Sequence, residues 1–265
     1  MERNAVSARR VALLGLGEAG RRLASDLVLA DVDVRGYDPY VADVPTGVRA
    51  DDLESAVSGC DAVLSVNTAK VALDVAAAAA RALSPGTIYA DLNTAAPDLK
   101  RRLAATFAGV DVRFADVALL GPVPDRGLAT PVLASGDGAR AFADAFRPLG
   151  MPVELVSEQA GDAATLKLLR SVFMKGLAAS VVESLEAAEA AGHADWLRRE
   201  VAAVVDEPLL DRLVNGSRKH AARRVDEMEA ARSLLLELGV EPRIATASAA
   251  LLAALVASEA GNGAG

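Results

Sequence analysis

Gly15, Gly17 and Gly20 stand at the spacing G-x-G-x-x-G within Arg10-Val-Ala-Leu-Leu-Gly-Leu-Gly-Glu-Ala-Gly20. Apolar residues 11–14 before them read as a buried strand, and residues 21–30 after them as an amphipathic helix. A glycine turn between such elements is suited to a pyrophosphate. Gly15 permits the tight turn, Gly17 lets backbone approach the phosphates with no Cβ between, and Gly20 lets the helix pack close to the strand. The helix N-terminus adds free N–H groups and a positive dipole end. Gly15, Leu16, Gly17, Glu18, Ala19 and Gly20 together form the candidate phosphate cradle. A second strand, residues 32–37, ends on Asp38, near the offset of about 20 residues at which an acid accepts the ribose hydroxyls of NAD. Its charge repels a 2′-phosphate, so NAD is expected, while Arg35 slightly upstream keeps NADP possible. The alternative for Asp38 is a turn-starting role before Pro39.

The elements around this turn alternate. Residues 61–66, 87–91, 112–116, 130–135 and 151–156 read as strands, and 51–57, 71–83, 97–107 and 139–146 as helices. Residues 41–50 and 119–127 read as loops. The pattern predicts an α/β fold with a Rossmann-type, doubly wound parallel sheet. Ligands of such sheets bind beyond the carboxyl ends of the strands. Asn67, Thr68, Asn93 and Thr94 fall there and can hydrogen-bond a ribose or a nicotinamide amide, or else cap the helices that follow.

From about residue 160 the pattern is helical. It predicts a dinucleotide-binding domain over residues 1–157 and an all-α domain for substrate and dimerisation over 158–265. The first helix, residues 162–191, carries Lys167 among Leu166, Leu168, Leu169, Val172 and Phe173. A desolvated lysine loses pKa readily and can pass a proton; an ordinary surface lysine is the alternative. Over residues 217–228, helical spacing puts His220, Arg223, Arg224 and Glu227 on one face. Such a group can hold a carboxylate or phosphate, or be a solvated charged face.

Bulk composition narrows the function classes. The 265 residues suffice for one or two domains. With 52% hydrophobic but 3% aromatic residues, the core must be built from Ala, Val and Leu. A formal net charge of −8 argues against nucleic-acid and anionic-membrane surfaces. Cys60 is the only cysteine, which fits a reducing, cytoplasmic setting, and with two His it leaves no metal-ligand cluster. Residues 1–10 lack signal-peptide character, no apolar run is long enough to span a bilayer, and residues 262–265 are expected to be disordered.

On these residues the chain resembles the β-hydroxyacid dehydrogenase family, related to 6-phosphogluconate dehydrogenase, over essentially its whole length. It is most similar to a short branch whose helical C-terminal domain has no settled function. Gly15-Leu-Gly-Glu-Ala-Gly20 matches the family's glycine turn. Asp91-Leu-Asn-Thr94 with Pro97 is similar to its D-x-S-T-x-x-P segment, which lies along the cofactor. Asp116-Val-Ala-Leu-Leu-Gly121 stands where the family has D-A-P-V-S-G, and Gly161 to Lys167 falls on G-x-G-x-x-x-K, with Ala163 for the second Gly.

The resemblance implies an NAD(P)-dependent oxidoreductase that transfers a hydride between the nicotinamide and a hydroxyacid-like, CH–OH or C=O substrate. Lys167 becomes the general acid/base, and Leu120 and Gly121 line the substrate site. Leu120 replaces the family's substrate-binding Ser and cannot hydrogen-bond a carboxylate through its side chain. Ser171 replaces its Asn and, one turn beyond Lys167, can still hold a substrate hydroxyl. His220 and Arg223 are candidates for the distal anion of a small, anionic substrate. An imine reductase-like enzyme and a non-catalytic NAD-binding sensor are the alternatives, the latter kept open by Leu120. The long helix from Asp162 and residues 246–256 carry more apolar surface than a small domain buries alone, so a homodimer through the helical domains is expected.

Overall fold

The computed structural model describes residues 8–41, 43–50 and 52–262. Residues 1–7 and 263–265, on which most of the reading of both termini rests, lie outside the described residues, as does Asp51 of the expected helix 51–57. The chain divides into two compact units, Met1–Lys167 and Leu168–Gly265.

The first unit begins with β1 (Arg10–Leu14), α1 (Glu18–Leu29), β2 (Asp33–Tyr37), β3 (Arg49–Ala50) and α2 (Leu53–Val57). It continues with β4 (Ala62–Ser65), α3 (Ala72–Ala79), β5 (Thr87–Asp91), α4 (Pro97–Thr106) and β6 (Val112–Leu119). Next come α5 (Val123–Arg126), β7 (Val132–Ser135), α6 (Ala139–Phe146), β8 (Val153–Ser157) and the start of α7 (Asp162–Ala190). Among the described residues the strands form one sheet in the order β3-β2-β1-β4-β5-β6-β7-β8. The first six are mutually parallel. Their order is that of dinucleotide-binding sheets, with the switch point between β1 and β4.

The last two strands depart from the all-parallel expectation. β7 runs antiparallel to β6, and β8 runs parallel to β7. Residues 120–131 between β6 and β7 contain Pro122, Pro124 and Pro131 and the single turn of α5, so no crossover helix returns the chain for a parallel pairing. The stretch 119–127 is accordingly part helix. β6 also outruns the expected strand 112–116, which places Asp116 in mid-strand. β3 is only two residues long and fell in a stretch read as loop.

Both faces of the sheet are covered, which is why its strands read as continuous apolar runs. On one face Val11, Leu13, Leu64 and Ala90 pack with Leu23 and Leu27 of α1 and Phe142 and Phe146 of α6. On the other, Ala12, Leu14 and Val63 pack with Ala76 of α3, Leu103 of α4 and a cluster of Tyr89, Phe107 and Phe114. The Tyr89 and Phe107 rings lie 4.7 Å apart.

The second unit holds the rest of α7 with α8 (Ala194–Val205), α9 (Glu207–Lys219), α10 (Ala221–Glu237) and α11 (Arg243–Asn262). Leu168 packs with Met228, Ala231 and Leu234 of α10 and with Ala249 and Leu252 of α11. Ala178 and Val181 pack with Leu210 and Leu213 of α9. Among the described residues no helix is long and apolar enough to cross a membrane.

Cys60, just ahead of β4, is buried, and its Sγ lies 3.2 Å from the Ala56 carbonyl. Burial pushes its thiol from 9.0 up to about 11. That lowers the thiolate fraction near neutrality by about 100-fold. A thiol reagent at pH 8 is therefore expected to label the native protein at least ~100-fold more slowly than the urea-unfolded chain. Equal rates would show that the α2–β4 junction opens readily.

Candidate functional site

The glycine turn separates two kinds of demand. Gly15 has a positive φ of 111°, and its N–H donates to the Tyr37 carbonyl at 2.9 Å. A Cβ there would overlap the Val66 carbonyl oxygen, and one on Gly20 would overlap that of Gly15. Packing inside the protein therefore requires both. A Cβ on Gly17 would meet nothing within 4 Å, so the need for Gly17 arises only when something approaches from outside. Gly17 is the N-cap of α1, and no side chain caps that end, which leaves its first-turn N–H groups for a ligand. Leu16 is buried, whereas Gly17 and Glu18 are exposed. A pyrophosphate fits this cradle.

Asp38 ties the cradle to β2. Its Oδ2 accepts the Leu16 N–H at 2.8 Å, and its Oδ1 accepts the Tyr40 N–H at 2.9 Å. A carboxylate so held still has lone pairs for ribose hydroxyls. Arg35 donates to the carbonyls of Ser55 at 2.7 Å and Ser58 at 3.1 Å.

Beyond the switch point a polar row crosses the sheet. Ser65, Asp91, Asp116 and Ser135 occupy matched register positions on β4 to β7, and all four are fully buried. Lys100 of α4, 1% exposed, reaches into this row. Its Nζ donates to the Asp91 carboxylate at 2.6 Å and the Asp91 carbonyl at 2.9 Å. It also lies 3.1 Å from Asp116 Oδ1, an ion-pair distance without hydrogen-bond alignment. Burial pushes the Lys100 ammonium down, but the two aspartates together outweigh it and the net shift is upward from 10.5. The stability that the lysine's raised value contributes is thus fully present below pH 10.5 and is lost as pH rises through the raised native value.

The row moors two segments. Asn93 Nδ2 lies 2.6 Å from Asp91 Oδ2, 3.0 Å from Asn67 Oδ1 and 3.3 Å from Ser65 Oγ. On the other side, Asp116 Oδ2 accepts the N–H groups of Gly161 and Ala164, each at 3.1 Å, and Ser135 Oγ accepts that of Ala163 at 3.0 Å. Gly161 has φ +102°, and a Cβ on it would lie 2.9 Å from the Pro97 carbonyl oxygen, so the start of α7 sits against the start of α4. One turn into α7, half-buried Lys167 donates from Nζ to Thr94 Oγ1 at 2.6 Å. Asn67, Asn93, Thr94 and Lys167 thus gather at the carboxyl ends of β4 and β5.

The capping alternative fails for these polar residues. The N-caps of α3 and α4 are Val71 and Ala96, and neither helix takes a side-chain cap. Thr68 is exposed and takes no part in the Asn67–Asn93 contacts. Leu120 packs with Ala118, Leu133 and Ala163, and its N–H donates to the Pro131 carbonyl at 2.9 Å. Its side chain therefore supports the start of α7 rather than offering a hydrogen bond to a ligand. Gly121 follows directly, and a Cβ on it would lie 3.8 Å from the Thr130 methyl group.

In the second unit, Ser171 donates to Glu227, which also lies 3.1 Å from Lys175 Nζ. Burial pushes the Lys175 ammonium down, against the opposing pull of Glu227. The single helical face expected over 217–228 is interrupted, because His220 stands between α9 and α10 with φ −123° and ψ 24°. The break turns Arg223 to solvent, and Arg224 donates inward to Ser217 Oγ at 2.8 Å. Lys100, Ser65, Ser135 and Lys175 escaped the sequence reading. Two signals pointed to Lys100: a cation one turn into a helix opposes the dipole, and an acid inside the apolar run of β6 needs a partner. Among the described residues no group of three or more His, Cys, Asp or Glu can hold a metal.

The two kinds of glycine give a contrast to measure. Gly17→Val should leave the melting temperature within a few degrees of wild type but abolish dinucleotide binding. Gly20→Ala should destabilise the fold by about 1–3 kcal/mol through overpacking. Undiminished binding by Gly17→Val would remove the turn from the binding site.

Comparison with known proteins agrees with this geometry. A family model described as the NAD binding domain of 6-phosphogluconate dehydrogenase matches residues 10–148, and a domain of unknown function (DUF1932) matches residues 188–255. A conserved hypothetical protein from Sinorhizobium meliloti 1021 is 29% identical, with a TM-score of 0.73 over 92% of this chain and 87% of that one. A conserved protein of unknown function, described as structurally similar to 3-hydroxyacid dehydrogenases, is 28% identical, with a TM-score of 0.74 over 93% and 96% of the two chains. A 3-hydroxyisobutyrate dehydrogenase from Mycobacterium tuberculosis, solved with L-serine, shares the fold at 20% identity, with a TM-score of 0.77 over 94% of each chain. The glycine turn, the sheet order and the matched length together make this chain a member of the family of the 6-phosphogluconate dehydrogenase NAD-binding domain, with a 3-hydroxyacid dehydrogenase-like fold.

Proposed function

We propose that the protein is an NAD-dependent oxidoreductase acting at the CH–OH or C=O carbon of a small hydroxyacid-like molecule, with Lys167 as its proton-transfer group. The observation that carries this reading is the 2.6 Å contact of Lys167 Nζ with Thr94 Oγ1, beside Asn93 and Asn67, on the sheet that bears the glycine turn. The likeness to 3-hydroxyacid dehydrogenases supports it.

A bound nicotinamide supplies hydride exchange, and the protein supplies orientation and proton transfer. The glycine turn and the first N–H groups of α1 hold the pyrophosphate. Asp38 accepts ribose hydroxyls and disfavours a 2′-phosphate. Asn67 and Asn93 orient the far ribose and the amide. Lys167 takes the hydroxyl proton at Nζ during oxidation and returns it during reduction. Thr94 accepts one N–H of that nitrogen, which aims the lone pair of the neutral amine at the hydroxyl in oxidation and an N–H of the ammonium at the carbonyl oxygen in reduction. Leu120 adds no polar contact, so the substrate's selection differs from that of relatives with Ser at this position.

The exposed apolar side chains of the second unit, Phe173, Trp196 and Ile244 among them, support the further proposal that two copies pair through this unit. Light scattering should then give twice the chain mass, and a single-chain mass would refute it.

Fluorescence titration should show NADH binding at least ~10-fold more tightly than NADPH, with the preference erased in Asp38→Ala. On a panel of hydroxyacids and their oxo forms, Lys167→Met should lose ~100-fold or more of turnover while keeping NADH affinity. Unchanged turnover would remove Lys167 from the chemistry. A wild-type protein that binds NADH tightly yet is inert on alcohols, hydroxyacids and imines would instead be a dinucleotide-binding protein without turnover.

A further inference from the structure

Lys100 has no place in the chemistry above, yet the segments that carry that chemistry converge on it. Asp91 and Asp116 stand directly opposite each other on adjacent strands, both sealed from water. Like charges so placed repel strongly, and the single positive charge of Lys100 Nζ, set against both, offsets that repulsion. Each aspartate divides its oxygens. The Oδ1 atoms face Lys100, at 2.6 Å for Asp91 and 3.1 Å for Asp116. The Oδ2 of Asp91 holds the Asn93 amide, and the Oδ2 of Asp116 holds the N–H groups of Gly161 and Ala164, the turn before Lys167. Neither carboxylate can rotate to escape the other without dropping its segment.

We propose that Lys100 is a positioning residue for the nicotinamide half of the cofactor site. Through Asp91 it fixes the Asn93 amide, and through Asp116 it fixes the N-terminal turn of α7. The inference rests on the dinucleotide reading above and adds to it a residue that touches neither cofactor nor substrate.

A purely structural lysine would change the folded fraction and leave the ligand preference of the folded protein alone. Positioning predicts a selective loss. ADP reaches the glycine turn and Asp38, whereas NADH adds the nicotinamide riboside. Calorimetric titration of folded Lys100→Met should give ADP affinity within about twofold of wild type and NADH affinity about tenfold weaker. Lys100→Arg, which keeps the charge, should recover most of the NADH affinity. Should Lys100→Met fail to fold, the variant Lys100→Met/Asp91→Asn/Asp116→Asn, neutral throughout, carries the same test with the same expected split.

NADH affinity that is unchanged, or that falls in step with ADP affinity, overturns the positioning role. A wild-type protein that binds ADP but gains nothing from NADH also overturns it, while leaving the glycine turn as a phosphate site. Binding of neither ligand by the wild type defeats the dinucleotide reading itself, and this inference with it.

Discussion

Two ionised carboxylates sealed side by side in a sheet repel each other strongly, and in the first unit Lys100 is the counter-charge set against both Asp91 and Asp116. Lys100 must come down from α4 to meet them, so α4 is held over β5 and β6. The spare oxygens then determine where the Asn93 loop and the start of α7 can lie. Removing one member of such a buried group is expected to cost about 3–5 kcal/mol, because the remaining charges are left uncompensated. Apolar side chains of similar shape would hold the sheet as well or better. Orientation of neighbouring polar groups is what the ionic version adds, since a carboxylate offers directional acceptors on both oxygens.

Two constraints of different origin meet at the carboxyl ends of the parallel strands. At the switch point between β1 and β4, backbone crowding around Gly15 and Gly20 sets the turn, and Gly17 leaves one approach open. One strand further on, the polar row holds Asn67 and Asn93 by their side chains and the turn of α7 before Lys167 by its backbone N–H groups. The first constraint needs small residues and the second needs charge. Together they place an open glycine turn and a half-buried lysine on one sheet, the arrangement on which the proposed dinucleotide-dependent reaction rests.

The parts legible from sequence were those governed by local rules. The glycine turn, the strand–helix alternation through β6 and the helical second half follow from spacing and periodicity. Asp38 and Lys167 were singled out by offset and by resemblance; the structure shows their hydrogen bonds, to Leu16 N–H and Thr94 Oγ1, while their roles stand as proposals. What was not legible depended on pairing across the chain. Lys100 sits in a charged run with Arg101 and Arg102 and reads as solvent-facing until β5 and β6 are set beside it. The reversal of β7 depends on what the proline-rich residues 120–131 cannot do, which is to form a crossover helix. His220 ends one helix and precedes the next, and that break turned Arg224 inward in place of Arg223. The helical period alone did not show it.

The most direct measurement is a crystal structure of the protein with NADH. The expected result places the pyrophosphate at Gly17 and the first turn of α1, with the nicotinamide over the ends of β4 and β5 beside Asn93 and facing Lys167 Nζ. A dinucleotide bound away from the glycine turn, or a nicotinamide with Lys167 out of reach of any substrate oxygen, would contradict the assignment of Lys167 as the proton-transfer group.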